Sequence, residues 1–190
     1  SAMSKRCLGE HFDIHGGGPD LLFPHHENEI AQSEAANGCA FANYWMHAGP
    51  LRIDGDKMSK SLGNFFTIRD VLKKYDPEVV RFFLISSHYR SPINYSDQGL
   101  DEARQGLERF YQCLRQFDDL APVDAGALVD HSEAGPFLAA MCNDFNTREA
   151  LAELYQLTNQ INAQVKGGQG ELAAAKASLL KGLAGVLGLL

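Results

Sequence analysis

The feature that most restricts the fold is a helical repeat in the second half of the chain. Leu100, Ala103, Leu107, Phe110, Tyr111 and Leu114 recur at three- and four-residue spacing. They form one apolar face of a helix predicted over residues 97–117. A stripe of that width has to be covered by other helices, so the region is expected to form a bundle. Partners are predicted around 133–141, in a helix opened by Asn146 with Glu149, and from 171 to the end. The stretch Gly167-Gly168-Gln169-Gly170 separates the last two. Residues 119–131, rich in Asp, Pro, Ala and Gly, read as a linker. Upstream, Thr67 and Asp70 have the spacing of a capping box. Asp76-Pro77 supplies an N-cap and a first helical residue for Val79, Phe82, Phe83 and Ile85.

The first fifty residues follow a different rule. Phe12-Asp13-Ile14-His15 reads as a strand running into Gly16-Gly17-Gly18. A helix is predicted to follow Pro24, with Asn37-Gly38 as its stop. Tyr44-Trp45-Met46-His47 is a second strand closed by Gly49-Pro50, and Leu51-Arg52-Ile53 a third before an Asp54-Gly55 turn. The fold class is therefore α/β followed by all-α.

Hydrophobic residues make up 45% of the chain, enough for a packed core and too many for a disordered segment. No apolar run reaches the length that spans a bilayer, and no apolar stretch follows Lys5 and Arg6 to make a secretory signal. Cys7, Cys39, Cys113 and Cys142 are scattered and read as reduced thiols of a cytoplasmic protein, the last three as packing residues. The net charge of −7 disfavours a general polyanion surface. Residues 52–90, however, hold eight Lys or Arg against five Asp or Glu, which suits a localised anionic ligand.

Three segments carry chemistry. Lys57-Met58-Ser59-Lys60-Ser61 puts two ammonium groups and two hydroxyls on one short loop between Gly55 and Gly63. Such a loop can clamp phosphate oxygens as charge moves in phosphoryl or nucleotidyl transfer, and it also suits plain solvent exposure. In Pro24-His25-His26-Glu27-Asn28-Glu29, both His25 and His26 share a helix face with Glu29. That arrangement suits zinc, or a solvent-facing pair at a helix start. His15-Gly16-Gly17-Gly18-Pro19-Asp20 ends a strand where open α/β sheets bind ligands, and Asp20 can accept from a ribose; the other reading is a tight connection.

Taken together, these residues resemble a known family. Lys57-Met58-Ser59-Lys60-Ser61 resembles the second signature of class I aminoacyl-tRNA synthetases. Phe12 through Gly18, Phe23 through Glu29, Asn43 through His47 and Lys57 through Asp70 are similar to the cysteinyl-tRNA synthetase family. Ser87 through Ser91, Asn94-Tyr95-Ser96 and Asp144 through Thr147 extend the likeness over almost the whole chain.

The resemblance implies residues 1–54 as the C-terminal remnant of a Rossmann-like catalytic domain. Residues 55–96 would be the signature loop with a stem-contact-type segment, and 97–190 an antiparallel helical bundle of tRNA-binding type. It implies ATP-dependent ligation of L-cysteine to cysteine tRNA through a cysteinyl-adenylate. His25 and Glu29 match two ligands of a zinc ion that binds the substrate thiolate. A cysteine immediately before Ser1 and another far upstream would complete the set. Lys60 matches an ATP contact assisted by Lys57, both catalytic. Gly17, Gly18 and Asp20 are expected to line the ATP site, and His15 and Trp45 the substrate site. With the first signature, His-Ile-Gly-His, lying upstream of Ser1, the isolated chain is expected to be inactive and to hold zinc weakly. The full-length protein is expected to be a cytoplasmic monomer, with the open sheet edge allowing this chain to self-associate. A cysteine ligase of mycothiol biosynthesis, which resembles the same family, is the nearest alternative, and a non-catalytic tRNA-binding or regulatory paralogue is another.

Overall fold

The computed structural model describes residues 1–53, 56–57 and 67–190, with Asp56 and Lys57 described by backbone alone. The predicted Asp54-Gly55 turn and the signature loop beyond Lys57 lie outside the described residues. The chain divides into two compact units, Ser1–Leu51 with Tyr89–Ile93, and Arg52–His88 with Asn94–Leu190.

The first unit opens with α1 (Ala2–Leu8), a helix the sequence pattern did not announce. Strand β1 (Phe12–Gly17) leads through two tight turns, Pro19–Leu21 and Leu22–His26, into α2 (Glu27–Asn37). Strand β2 (Ala42–His47) then returns parallel to β1, pairing His15 with Trp45 and Gly17 with His47. The helix expected from Pro24 starts three residues later. Phe23 is extended (φ −130°, ψ 132°), because a proline clashes with an α-helical conformation at the residue before it. The predicted stop holds: Gly38 takes the left-handed conformation (φ 70°), and its N–H closes on the Glu34 carbonyl.

Strands β3 (Leu51–Ile53), β4 (Asp56–Lys57) and β5 (Ile93–Tyr95) form a second sheet in the order β4-β3-β5. Short helices α3 (Ile68–Val71) and α4 (Pro77–Ile85) follow the predicted caps. The Thr67–Asp70 capping box is complete, and Asp76 Oδ1 accepts from Glu78 N–H at 2.8 Å.

The long helix α5 spans Asp97–Leu114, with Ser96 as its N-cap. It ends three residues short of the expected 117, where Gln116 and Phe117 bond three residues back in tighter turns. Helices α6 (Gly135–Cys142), α7 (Thr147–Lys166) and α8 (Gly170–Val186) complete the second unit. Its core joins Leu100, Leu107 and Phe110 of α5 to Phe137 of α6, Leu154 and Ile161 of α7, and Leu180 and Leu183 of α8. Each such side chain contributes about 1.5–3 kcal/mol by leaving water. Phe110 stacks on Tyr155 with centroids 4.6 Å apart.

Only Cys113 is a packing cysteine; its thiol is pushed up to about 11 by burial. Cys39 and Cys142, expected inside, are exposed: Cys39 sits two residues past the end of α2, and Cys142 is the last residue of α6. Among the described residues, no helix is long and apolar enough to cross a membrane.

Candidate functional site

The parallel register of β1 and β2 creates the site. Side chains two apart on a strand share a face, so Trp45 and His47 of β2 lie on the same side as their partners His15 and Gly17. The turn at Leu22–His26 then brings His26 onto that face. Its ring packs against His15 (5.1 Å between centroids), Trp45 (4.9 Å) and His47 (5.1 Å). Gly17 makes this possible: a Cβ there would stand 2.9 Å from His26 Nε2 and Cε1 and 3.0 Å from a Leu21 methyl.

Glu29, one turn into α2, reaches the same place. Its Oε2 lies 3.0 Å from His15 Nε2 and 3.6 Å from His25 Nε2. Both distances allow an ion pair, but the first contact is not aligned as a hydrogen bond and the second is too long for one, so this buried oxygen has no hydrogen-bond partner. Its other oxygen accepts from the Ser1 ammonium at 2.9 Å. Donor atoms of His15, His26 and Glu29 all fall within 4.8 Å of one another. A further link runs from His26 Nδ1 to His47 Nε2 at 3.1 Å, where one of the two nitrogens carries the hydrogen.

The electrostatics follow from crowding. Burial, with the charges of His15, His47 and His25, holds the His26 pKa below its ordinary value against the opposing pull of Glu29. Burial raises Glu29, but the hydrogen bond and charge of the Ser1 ammonium, with His15 and His25, outweigh it and leave the carboxyl lowered. An ionised carboxylate beside a neutral imidazole is the donor state a zinc ion requires. The geometry fits as well. The 3.6 Å between Glu29 and His25 is close to the roughly 3.4 Å separating two donors on one tetrahedral zinc. An acceptor buried without a hydrogen bond is otherwise costly.

Of the residues singled out from sequence, His15, Trp45, His25 and Glu29 meet in one cluster. Gly18 caps the Pro19–Leu21 turn, whose Asp20 is exposed. Lys60 and the side chain of Lys57 lie outside the described residues. Two members were missed as site residues. His26 was visible only as a second imidazole on the face of Glu29, and His47 had no sequence signal, since only the strand register brings it to His26.

Residues 1–105 match the family described as "tRNA synthetases class I (C) catalytic domain", and residues 136–190 match the "DALR domain". The chain is 60% identical over 190 residues to a cysteine–tRNA ligase of Aromatoleum aromaticum, covering all of this chain and 39% of that protein. It is 54% identical over 189 residues to that of Acinetobacter baumannii, covering 40% of it. The chain thus spans about two fifths of the length of the curated relatives it matches. Among solved structures, it resembles the Agrobacterium radiobacter K84 agnB2 LeuRS-tRNA-LeuAMS ternary complex. The TM-score is 0.68 at 22% identity, over 92% of this chain and 25% of that one, a likeness of fold alone.

Proposed function

Because the chain belongs to the class I (C) tRNA synthetase catalytic family, we propose that it is part of an enzyme that ligates L-cysteine to cysteine tRNA. ATP drives the reaction through a cysteinyl-adenylate. The observation that carries this reading is the approach of His15 and His25 to the buried, unbonded oxygen of Glu29, with a ring nitrogen of His26 within 4.8 Å of the same carboxylate and of His15.

In this reading His25 and Glu29 hold a zinc ion, with His15 and His26 close enough to share or support it. Bound zinc supplies a Lewis acid for the thiolate of cysteine. Ser1 N lies 2.9 Å from Glu29 Oε1. Trp45, half-buried between His15 and His26, walls the substrate side and narrows water access. His15 orients Glu29, and His47 fixes which nitrogen of His26 carries its hydrogen. Gly18 and Asp20 border the ATP site beyond the end of β1. Gly17 serves it from the end of β1 while making room for His26. Lys57 and Lys60 clamp the phosphates as the cysteine carboxylate attacks the α-phosphate and pyrophosphate leaves. Catalysis is then positioning and charge stabilisation rather than covalent attack by the protein.

Residues 1–54 are read as the remnant of a Rossmann-like domain, 55–96 as signature loop and stem-contact segment, and 97–190 as a tRNA-binding antiparallel bundle. The enzyme is read as a cytoplasmic monomer, and the 190-residue chain as inactive alone. The deciding experiment is charging of cysteine tRNA by the full-length gene product with labelled cysteine and ATP. Charging supports the synthetase. Cysteine-dependent ATP turnover without charging moves the assignment to a mycothiol-type ligase, and neither activity overturns both.

A further inference from the structure

The end of β2 is wedged between two backbones. Ala48 N–H donates to Gly17 O of β1 at 2.9 Å, which prolongs the parallel ladder by one bond. The next residue turns the other way: Gly49 N–H donates to Tyr89 O at 2.7 Å. Pro50 O then accepts from Ile93 N–H at 3.1 Å. Of three consecutive residues, Ala48 is thus fixed by β1, and Gly49 and Pro50 by the segment Tyr89–Ile93, which belongs to the same compact unit.

The segment leaves no room for a side chain at Gly49. A Cβ on Gly49 would lie 2.2 Å from Ser91 O, 2.4 Å from Ser91 C and 2.8 Å from Arg90 O. These are backbone atoms, so no side-chain rotation relieves the contact, and either β2 or the segment has to move. Two residues before Gly49 stands His47, bonded to His26, and two before that Trp45, packed on His15 at 4.7 Å and on His26 at 4.9 Å. Shifting the strand end therefore shifts the rings that seat both cluster imidazoles.

We propose that Gly49 is a positioning residue for the histidine cluster. The Arg90–Ser91 backbone presses on it and sets how far β2, with Trp45 and His47, advances over His15 and His26. The inference rests on reading that cluster as the cysteine site. It touches no substrate itself; it fixes the depth of the pocket wall.

Gly49→Ala is the test, made in two proteins. In the full-length enzyme the KM for cysteine should rise about tenfold while the KM for ATP stays within about twofold, because a displacement of about 1 Å acts at one substrate only. In the 190-residue chain, whose single tryptophan is Trp45, the variant should shift the emission spectrum with the helical signal unchanged. A fall in kcat and thermal stability with an unaltered KM for cysteine would make Gly49 merely structural and overturn the proposal. Unaltered emission would overturn it too. If Gly49→Ala does not fold, Ile93→Pro replaces the N–H facing Pro50 O with a ring carbon and disturbs the same wedge, with the same two readouts. If the unmodified enzyme does not activate cysteine, the cysteine reading fails, and Trp45 emission alone still decides whether the wedge positions the cluster.

Discussion

The two units bury opposite chemistry. In the helical unit the interior is hydrocarbon: Leu100, Phe110, Leu154, Ile161, Leu179 and Leu180 are fully covered, drawn from three helices and continuous with Phe137 of a fourth. In the β1–β2 unit Phe41 is the one buried apolar side chain among the described residues, and its covered companions are His26 and Ser33. Several large apolar groups there, Ile14, Phe23 and Tyr44 among them, face outward. A hydrocarbon interior gains stability from every side chain it covers, whereas covered imidazoles and carboxylates contribute only when partnered. The helical unit is therefore the source of stability and the β1–β2 unit the place where stability is given up for a site.

The largest test of that contrast is Phe110→Ala, which should cost about 3–5 kcal/mol in the helical unit. Its unfolding, followed by circular dichroism, should move far more than the transition seen through Trp45. Equal shifts in both would mean the units unfold as one and would break the comparison. Next comes Gly17→Ala, which presses on the His26 ring and should destabilise the first unit by about 1–3 kcal/mol. Trp45 fluorescence is the probe, and an unmoved midpoint would remove the close packing of His26 on Gly17. Glu29→Gln should leave helical unfolding untouched and weaken zinc binding by at least about tenfold, measured against a competing chelator. Unchanged affinity would take Glu29 out of the metal site.

Asp76→Ala should cost about 1 kcal/mol through the lost N-cap of α4, read in denaturant unfolding. A null result would mean that packing alone fixes that helix start. The smallest effect is spectroscopic. Tyr111 is pushed up to about 12 by its hydrogen bond to Glu78 and by burial, and Tyr95 to about 12 by burial and the charge of Asp97. Both folded values lie above the ordinary tyrosine value of about 10. Their contribution to stability is complete below pH ~10 and is lost as pH rises towards about 12. An ultraviolet titration that finds all tyrosines ionising together at their ordinary value would remove these partners.

Much of the helical unit was legible because its signals are local. The caps at Thr67, Asp76 and Asn146 satisfy backbone groups within three residues, so spacing alone locates them. The face of α5 is equally local, since a 3.6-residue period puts Leu100, Ala103, Leu107 and Phe110 on one side wherever the helix lies. Helix α1 and strand β5 went unannounced, the first being short and without a buried face, the second only three residues long. The pairing of His88 with Asp144, at 3.8 Å across 56 residues of chain, has no local signature either.

By itself the sequence determined that the chain passes from α/β to helical, where most helices begin, and that His25 and Glu29 share a face. Those facts depend on residues within one or two turns of each other. Tertiary structure alone decided that His15 and His47 close on His26, that Gly17 is the hollow into which the His26 ring fits, and that Gly49 meets Ser91. Each of these depends on the register of two parallel strands or on the approach of a distant backbone, and no local period encodes either.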